Sequence, residues 1–525
     1  MRTLYFNGHV VTVDPSQPTV DAFVVEGDRF RAVGPALELS GLIGPGDRKV
    51  NLGGQTVIPG LIDAHVHFSW FSFGLTDVNL DGVPTLEGAV ALARQRAATT
   101  PPGTWIRGFG FNPNEWHRWP RRADLDAAVP DHPVLFSAKD GHSLWVNSEA
   151  LRRAGVTAST PVPPGGQIHR DEHGEPTGIL QENANDLIWA AVPERSRQEY
   201  VDAIRRGLAA ANRVGITGVH DMDPVKCFQG IQTLHARDEL TVRFFKQIPE
   251  SALESAVAAG LTTGFGNEWV RVGCLKLFSD GSLGSQTAHM LEPFVGRPGF
   301  LGVPTHSPAE LDRLIGTAVD HDIAVAVHAI GDAANRTVLD SFAKVSVISR
   351  QKGLRHRIEH AQLLSDPDLP RFAELDIIAS AQPSHAPSDR YTADRFWGDR
   401  CRLAYPFKTL LRSGAHLAFG SDVPVEPLDP LAGIHAAVWR KRLNEPSSEP
   451  WYPAERLTVA EAVHGFTLGA AYASGEERLK GSITPGKLAD FVVLTRDIMS
   501  GEEEALRTVR PQATVVGGRT VIGEL

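Results

Sequence analysis

The stretch "PGLIDAHVHF", residues 59–68, places one acid and two histidines inside an otherwise apolar run. Asp63, His65 and His67 stand at every second position, so a β-strand here would bring all three side chains onto one face. Polar groups that point together into a protein interior need a partner, and neutral imidazole is a good nitrogen ligand for a metal ion. The stretch therefore predicts a buried strand that contributes to a metal site.

The composition is typical of a soluble globular protein, with 42% hydrophobic and 22% charged residues. The length of 525 residues predicts one large domain and at least one smaller one. A net charge of -10 gives no electrostatic reason to expect binding to nucleic acid or to an anionic membrane. No apolar run is long enough to span a bilayer. The three cysteines follow no CxxC spacing, which favours a reducing, cytoplasmic location.

Short apolar runs alternate with amphipathic segments through the middle of the chain. Eight strands that alternate with helices predict an α/β fold with a parallel (β/α)8 barrel. An open doubly wound sheet is the alternative, but the first run is not followed by a GxGxxG turn. The eight runs are "TVIPGLIDAHVHF", "GITGVHDM", "TVRFFKQI", "VRVGCLKLF", "IAVAVHAIG", "LRHRIEHAQ", "DIIASAQPSH" and "HLAFGSDVP".

Both ends of the chain carry hairpin signals, such as the Asn-Gly turn in "TLYFNGHVVTV" and the Gly-Gly turn in "TVVGGRTVI". Isolated hairpins are marginally stable, so we expect residues 1–58 and 481–525 to form one small β-sandwich. The barrel would then occupy residues 59–480. One connection, at about 77–214, is far longer than an ordinary βα loop and predicts an inserted subdomain over the mouth of the barrel.

Four further polar residues lie near the carboxyl ends of predicted barrel strands, where such barrels keep their active sites. Each is weak evidence alone, because a lone buried lysine, histidine or aspartate commonly has a structural role. They are Lys276 in "GCLKLFSDG", His328 in "AVAVHAIGD", His360 in "HRIEHAQ" and Asp422 in "LAFGSDVP".

Together with "PGLIDAHVH", this ordered set resembles the amidohydrolase superfamily, whose barrels hold one or two divalent metals. The strings "KLFSDGSLGSQTA", "VHAIGDAAN", "HRIEHAQ", "QPSHA" and "GSDVPVEP" are similar to motifs of its YtcJ-like subfamily, amidohydrolase family 3. The N-substituted formamide deformylases belong to this subfamily. The resemblance spans essentially the whole chain and implies a TIM-type barrel.

The resemblance also implies roles for the six polar residues. His65, His67 and Asp422 would hold the more buried metal, and His328 with His360 the more exposed one. Lys276 would bridge two ions as an N-carboxylated lysine, and burial would supply the neutral amine that carboxylation needs. Zn²⁺ is the expected metal, although Mn, Fe and Co accept the same ligands. We expect Asp63, which lies deeper, to be a structural hydrogen-bond acceptor.

The implied reaction is hydrolysis of a non-peptide C–N bond, in an amide or N-substituted formamide. A metal-activated hydroxide would attack the carbonyl carbon, with Asp422 as general base and then general acid. One alternative is a mononuclear deaminase, although "HAIGDAANR" supplies no glutamate as a proton shuttle. The other is a non-catalytic regulatory homologue, although all six ligand positions are filled.

The motif "AKDGHSLWVNS" makes His142 a candidate to contact the substrate or the transition-state oxygen. The aromatic residues near the metal pair favour an apolar, partly aromatic amide as substrate. We expect a homodimer that binds a small molecule. Further pocket candidates are Trp70, Phe71, Glu182, His220, Asp280 and Ser282.

Overall fold

Eight parallel strands form the central sheet of the computed structural model, which describes residues 1–525. They follow one another around the sheet in chain order, which confirms the predicted mixed α/β architecture with a TIM-type barrel. All eight are buried for most or all of their length, as expected of parallel strands covered by helices. The strands are Leu61–Val66, Ile216–Asp221, Arg243–Pro249, Val270–Phe278, Val325–Ala329, Arg357–His360, Ile378–Ala381 and Leu417–Phe419.

The first and last strands meet through backbone hydrogen bonds just beyond the end of the eighth strand. The amide of Asp422 donates to the carbonyl oxygen of His65 over 2.8 Å, and the amide of His67 donates to that of Val423 over 2.9 Å. A parallel bridge pairs Val66 with Val423. These contacts nearly close the barrel and bring the two ends of the predicted ligand set together.

Helices cover the outside of the barrel, and the largest apolar cluster fills the space between helices and strands. The helix Asp332–Lys352, for example, buries Val338, Leu339 and Phe342 against the barrel. The helices are Ala36–Leu39, Phe68–Gly74, Leu86–Ala97, Arg122–Asp126, Ser148–Ala154, Asp186–Trp189, Arg197–Arg213, Val225–Ala236, Leu253–Ala258, Pro308–Asp320, Asp332–Lys352, Arg371–Leu375, His385–Trp397, Phe407–Arg412, Pro430–Trp439, Val459–Gly465, Leu468–Ala473 and Glu503–Thr508.

Strands from the two ends of the chain pair in one sheet, where Phe491–Leu494 runs antiparallel to Thr56–Pro59. Its other strands are His9–Val11, Thr19–Val20, Pro511–Val516 and Arg519–Ile522. A four-stranded sheet shares an apolar cluster with it through residues such as Tyr5, Phe23 and Phe491. The strands of that sheet are Arg2–Phe6, Ala22–Glu26, Arg29–Gly34 and Arg48–Asn51.

Residues between the first and second barrel strands form a fourth sheet. The helix Arg197–Arg213 follows this sheet and packs against the barrel through Val201, Ile204 and Leu208. The domain boundaries predicted from the sequence, the treatment of 77–214 as one inserted unit and the homodimer stay predictions. The strands of this sheet are Val78–Asn79, Ile106–Phe111, Val134–Ala138, Ser143–Val146, Gly166–Arg170 and Pro176–Glu182.

None of the helices combines the length and the apolar composition that crossing a bilayer requires.

A buried ion pair joins the barrel to the sheet formed by the chain ends. Arg243, at the start of the third barrel strand, donates from Nε to Asp490 over 2.7 Å and from Nη2 over 3.0 Å. We expect Asp490→Ala to lower the free energy of unfolding by about 3–5 kcal/mol, because it leaves a buried guanidinium without its counter-ion. Urea denaturation measures the change. Asp340→Ala, which removes an exposed partner of Arg371, is the control and should cause a much smaller shift.

Candidate metal centre

One cavity of about 520 Å³ lies at the carboxyl end of the barrel, and all six predicted ligand residues line it. They come from the ends of strands one, four, five, six and eight or from the residues directly after them. Atoms of His65, His360 and Asp422 lie within 4.8 Å of one another, which is close enough to share one ion. The six residues are His65, His67, Lys276, His328, His360 and Asp422.

Each histidine of the HxH pair is held by a carboxylate behind it. The Nδ1 of His65 lies 2.6 Å from Glu359 Oε2, and the Nδ1 of His67 lies 3.2 Å from Asp223 Oδ1. A carboxylate accepts the Nδ1 proton and so leaves the lone pair on Nε2. Both Nε2 atoms face Asp422 Oδ1, at 3.4 Å from His65 and 3.5 Å from His67.

The other two histidines are oriented by neutral acceptors. The Nε2 of His328 lies 3.0 Å from the carbonyl oxygen of Gly281, and the Nδ1 of His360 lies 2.8 Å from Gln382 Oε1. The opposite ring nitrogen of each is thereby left as a lone-pair donor. The two rings lie 4.6 Å apart between centroids, so their free nitrogens can serve one site.

Burial sets the protonation of these rings. It lowers the pKa of His65 and holds the pKa values of His328 and His360 well below the ordinary value. These three imidazoles are therefore neutral, which is the form that binds a metal. Burial also acts on His67, but its bond to Asp223 raises the pKa of this ring and makes it a more basic ligand.

Lys276 is a buried amine without a partner. Its side chain is 3% exposed, and Nζ forms no hydrogen bond. Burial lowers the pKa of Lys276 to about 8, so a substantial fraction of the amine is neutral near physiological pH. An orphaned buried amine beside a set of oriented imidazoles fits a site for divalent cations, because carboxylation would convert it into an oxygen ligand.

Asp422 adopts a left-handed backbone conformation with φ of +61°, and His360 does so with φ of +72°. Such conformations cost a non-glycine residue about 1–3 kcal/mol and cluster at functional sites. Burial alone would raise the pKa of Asp422, but the surrounding imidazoles, among them His65 and His385, hold it well below its usual value. The carboxylate is therefore ionised and available as a ligand or a base.

The predicted pocket residues separate into two groups. Trp70, Ser282 and His142 line the cavity, whereas Glu182 lies behind His142 and accepts its Nδ1 proton over 2.9 Å. Thr287, from the loop after the fourth strand, donates to the other oxygen of Glu182 over 3.0 Å. His142 therefore reaches the site from the sheet between strands one and two and is anchored to the barrel.

Three predicted pocket residues lie away from the cavity. Phe71 packs into the apolar cluster beneath the first strand. His220 is buried inside the barrel, where its Nδ1 accepts a hydrogen bond from Arg357 over 2.8 Å. Asp280 accepts hydrogen bonds from three backbone amides, at Ile330, Gly331 and His289, so its carboxylate has a structural role.

Asp63 has the structural role expected for it. Its Oδ1 accepts hydrogen bonds from the amides of Ser421 over 2.8 Å and of His65 over 3.2 Å, which ties the first strand to the eighth. Burial raises the pKa of Asp63 to about 7.

A second group of possible ligands, Asp221, Asp223 and Cys227, lies beside the centre. The ammonium of Lys246 lies 3.0 Å from Asp221 Oδ2 and already supplies the positive charge there. This group is therefore a support for the first strand rather than another metal site.

Sequence reasoning did not identify the residues that orient the imidazoles, Glu359, Asp223 and Gln382, nor His385 in the cavity wall. Glu359, Gln382 and His385 lie inside the quoted family-like strings "HRIEHAQ" and "QPSHA", so those strings contained a usable signal. Asp223 lies two residues beyond the end of the second strand, and only the fold brings it to His67.

The orientation of His360 predicts a test of metal affinity. Gln382→Leu removes the acceptor of the Nδ1 proton with little change in volume, and we expect metal affinity to fall by about 10- to 100-fold. Competition with a chromophoric chelator measures this change. Gln382→Glu keeps an acceptor and should bind metal at least as tightly as the wild type. Equal affinity of the leucine variant and the wild type would contradict this role.

Comparisons with known proteins identify relatives of the whole chain. The family model described as "Amidohydrolase family" matches residues 48–522. LONG AFTER FAR-RED 3 of Arabidopsis thaliana is 34% identical over 98% of this chain and 91% of its own length. A Bacillus subtilis protein named YtcJ is 32% identical over 99% of both chains. The N-substituted formamide deformylase of Arthrobacter pascens is 29% identical over 99% of this chain and 98% of its own.

Solved structures show the same fold. A metal-dependent hydrolase from Pyrococcus horikoshii superposes with a TM-score of 0.79 and 28% sequence identity, over 96% of this chain and 99% of that one. The predicted resemblance is thus confirmed: this chain belongs to the amidohydrolase family.

Proposed function

We propose that this protein is a metal-dependent hydrolase that cleaves a C–N bond outside the peptide backbone, in an amide or an N-substituted formamide. The observation that carries the proposal is the convergence of four oriented imidazoles, Asp422 and an orphaned lysine amine on one cavity. The similarity to a formamide deformylase and to a metal-dependent hydrolase of Pyrococcus horikoshii supports the same reaction class.

His65, His67 and Asp422 would hold the deeper cation, and His328 with His360 the outer one. Lys276, once carboxylated, would supply an oxygen to both. Nitrogen and oxygen donors of this kind suit Zn²⁺, and the neutral state of the buried rings favours binding. A bound divalent cation lowers the pKa of water towards neutrality and polarises a carbonyl oxygen.

Asp422 is the base of the proposed reaction. Its ionised carboxylate takes one proton from the attacking water, whose oxygen forms a bond to the carbonyl carbon. The C–N bond then breaks, and the same proton passes from Asp422 to the leaving nitrogen. The products are a carboxylic acid and an amine, so water is the one co-reactant that the step needs.

His142 is placed to stabilise the carbonyl oxygen. Its ring lies 6.4 Å from that of His328 between centroids, and both residues line the cavity. Burial lowers the pKa of His142, but the carboxylates of Glu182, Asp140 and Asp280 outweigh burial and raise it to about 9. An imidazolium is therefore present at neutral pH, and its Nε2–H can donate to an oxygen that gains negative charge.

A substrate screen tests the proposed function. Zn-loaded protein is offered formamides, acyl amides, lactams and esters, and release of amine or acid is measured. We expect turnover of at least one C–N substrate class, and a loss of at least about 100-fold in kcat for Asp422→Asn.

Metal analysis of the same samples separates loss of the base from loss of a ligand. Glu172→Gln, which changes an exposed turn residue, is the control for net charge. Release of ammonia from an amidine by a protein with one ion per chain would instead identify a deaminase. No turnover of any class would contradict a hydrolase and favour a regulatory role.

The His142–Glu182 pair predicts the alkaline limb of the pH profile. The imidazolium persists below its pKa and is lost as the pH rises, so kcat/KM should fall above about pH 9. Glu182→Gln removes the largest influence that raises this pKa and should move the limb to lower pH. Glu175→Gln, an exposed acid on the same sheet, should leave the limb in place. An unchanged limb in Glu182→Gln would contradict the role of His142.

A further inference from the structure

The wall of the cavity beside Asp422 is rich in carboxylates. We call it the acidic wall and define it by His385 and Asp389, from the helix His385–Trp397, and by Glu426, which follows the eighth strand. Only nine of the 34 residues that line the cavity are hydrophobic. The lining still offers apolar surface to the aromatic substrate expected from the sequence, and the acidic wall adds charge to one side of the cavity.

Neither carboxylate of this wall forms a direct ion pair with a cationic side chain. Asp389 accepts hydrogen bonds from Gln362 Nε2, over 3.0 Å, and from the Tyr405 hydroxyl, and both donors are neutral. Glu426 forms no ion pair within 4.0 Å, and burial raises its pKa. An enclosed carboxylate without a counter-charge is costly, so a cation in the cavity would be stabilised by both groups.

The cations nearest to the wall are bound to other acids. The ammonium of Lys139 attracts Glu426 but lies 2.9 Å from Asp81 Oδ1. Arg442 pairs with Glu445 over 3.4 Å. Lys139 and Arg442 themselves line the cavity, but each is paired with an acid that does not, and neither forms an ion pair with Asp389 or Glu426.

His385 gives independent evidence for a ligand at this wall. It is 8% exposed, lines the cavity, and its Nε2 has no hydrogen-bond partner. That atom lies 3.5 Å from Asp422 Oδ2, the oxygen turned away from the HxH pair. Under the proposed function, Asp422 delivers its proton to the leaving nitrogen, so the leaving group passes His385 and extends along the acidic wall.

We propose that the leaving amine of the substrate carries a second, cationic nitrogen, an alkylammonium or a guanidinium, which Asp389 and Glu426 bind. This inference rests on the proposed C–N hydrolysis and names its substrate class. Charge-assisted hydrogen bonds to two enclosed carboxylates would supply specificity that an apolar pocket cannot.

Matched substrates test the proposal. A series of monoformylated alkanediamines of increasing length is compared with the N-alkylformamides in which a methyl group replaces the ammonium, and with the isosteres that carry a carboxylate. At the best length, we expect kcat/KM to be about 10- to 100-fold higher for the ammonium than for the methyl compound. The carboxylate compound should be the poorest substrate.

Substitutions in the acidic wall show which residues cause the preference for the ammonium compound. Glu426→Gln and Asp389→Asn should each lower the ammonium-to-methyl ratio by about tenfold. Glu172→Gln removes an exposed charge outside the cavity and should leave the ratio unchanged. A wild-type ratio of one or less, or a ratio unaffected by both variants, would overturn the proposal.

Calorimetry with free amines separates this proposal from the proposed function. If no formamide is hydrolysed, the metal-loaded protein is titrated with alkanediamines and with alkylamines of equal length. Tighter binding of the diamine that is lost in Glu426→Gln would retain the acidic wall as a cation site while the hydrolase proposal fails. Equal binding of both amines would overturn the cation site as well.

Discussion

The hydrogen bonds between the first and last barrel strands are the constraint on which the site depends. The amide of Asp422 donates to His65, and the amide of His67 donates to Val423. His65, His67 and Asp422 lie on the two sides of this junction, so the contacts that close the barrel also bring these three proposed ligands together. The buried carboxyl of Asp63 reinforces the junction from inside by accepting the amide of Ser421. Burial raises the pKa of this carboxyl to about 7.

The charged groups that support the metal centre from behind are paired with other side chains. The lysine amine that faces the cavity is not. Arg357 donates to Glu359 and also to the carbonyl oxygen of Ala64, so the carboxylate that orients His65 is itself neutralised. Lys246 forms an ion pair with Asp221, two residues before Asp223, the carboxylate behind His67. The amine of Lys276 has no such partner. Burying a group without a hydrogen-bond partner is unfavourable, so this contrast supports the ligand role that we propose for Lys276.

Patterns along the chain are sufficient to predict the barrel, whereas the full ligand set is implied by the family resemblance, and the structure brings those six residues to one cavity. Polar residues at alternate positions of apolar runs identify His65 and His67, and chain order predicts that strand ends meet at one face. The sequence could not predict how polar groups pair across strands. Asp280 was expected in the pocket, but backbone amides from the next strand's end bind it, and His220 was expected there but faces Arg357. These pairings depend on where each side chain points in the folded protein, which a sequence pattern does not specify.

Acidic residues around the cavity have different roles because their hydrogen-bond partners differ. Backbone amides donate hydrogen bonds to Asp280, and its carboxylate thereby holds two loops together. Asp389 receives two neutral donors and Glu426 has no ion pair, so neither carboxylate is neutralised by a direct cationic contact. A carboxylate whose oxygens all find hydrogen-bond partners in the fold has a structural role. A carboxylate with an oxygen that lacks such a partner at a cavity surface is available for a ligand. The acidic wall is therefore best understood through what enters the cavity, since neither of its carboxylates forms an ion pair with the surrounding fold.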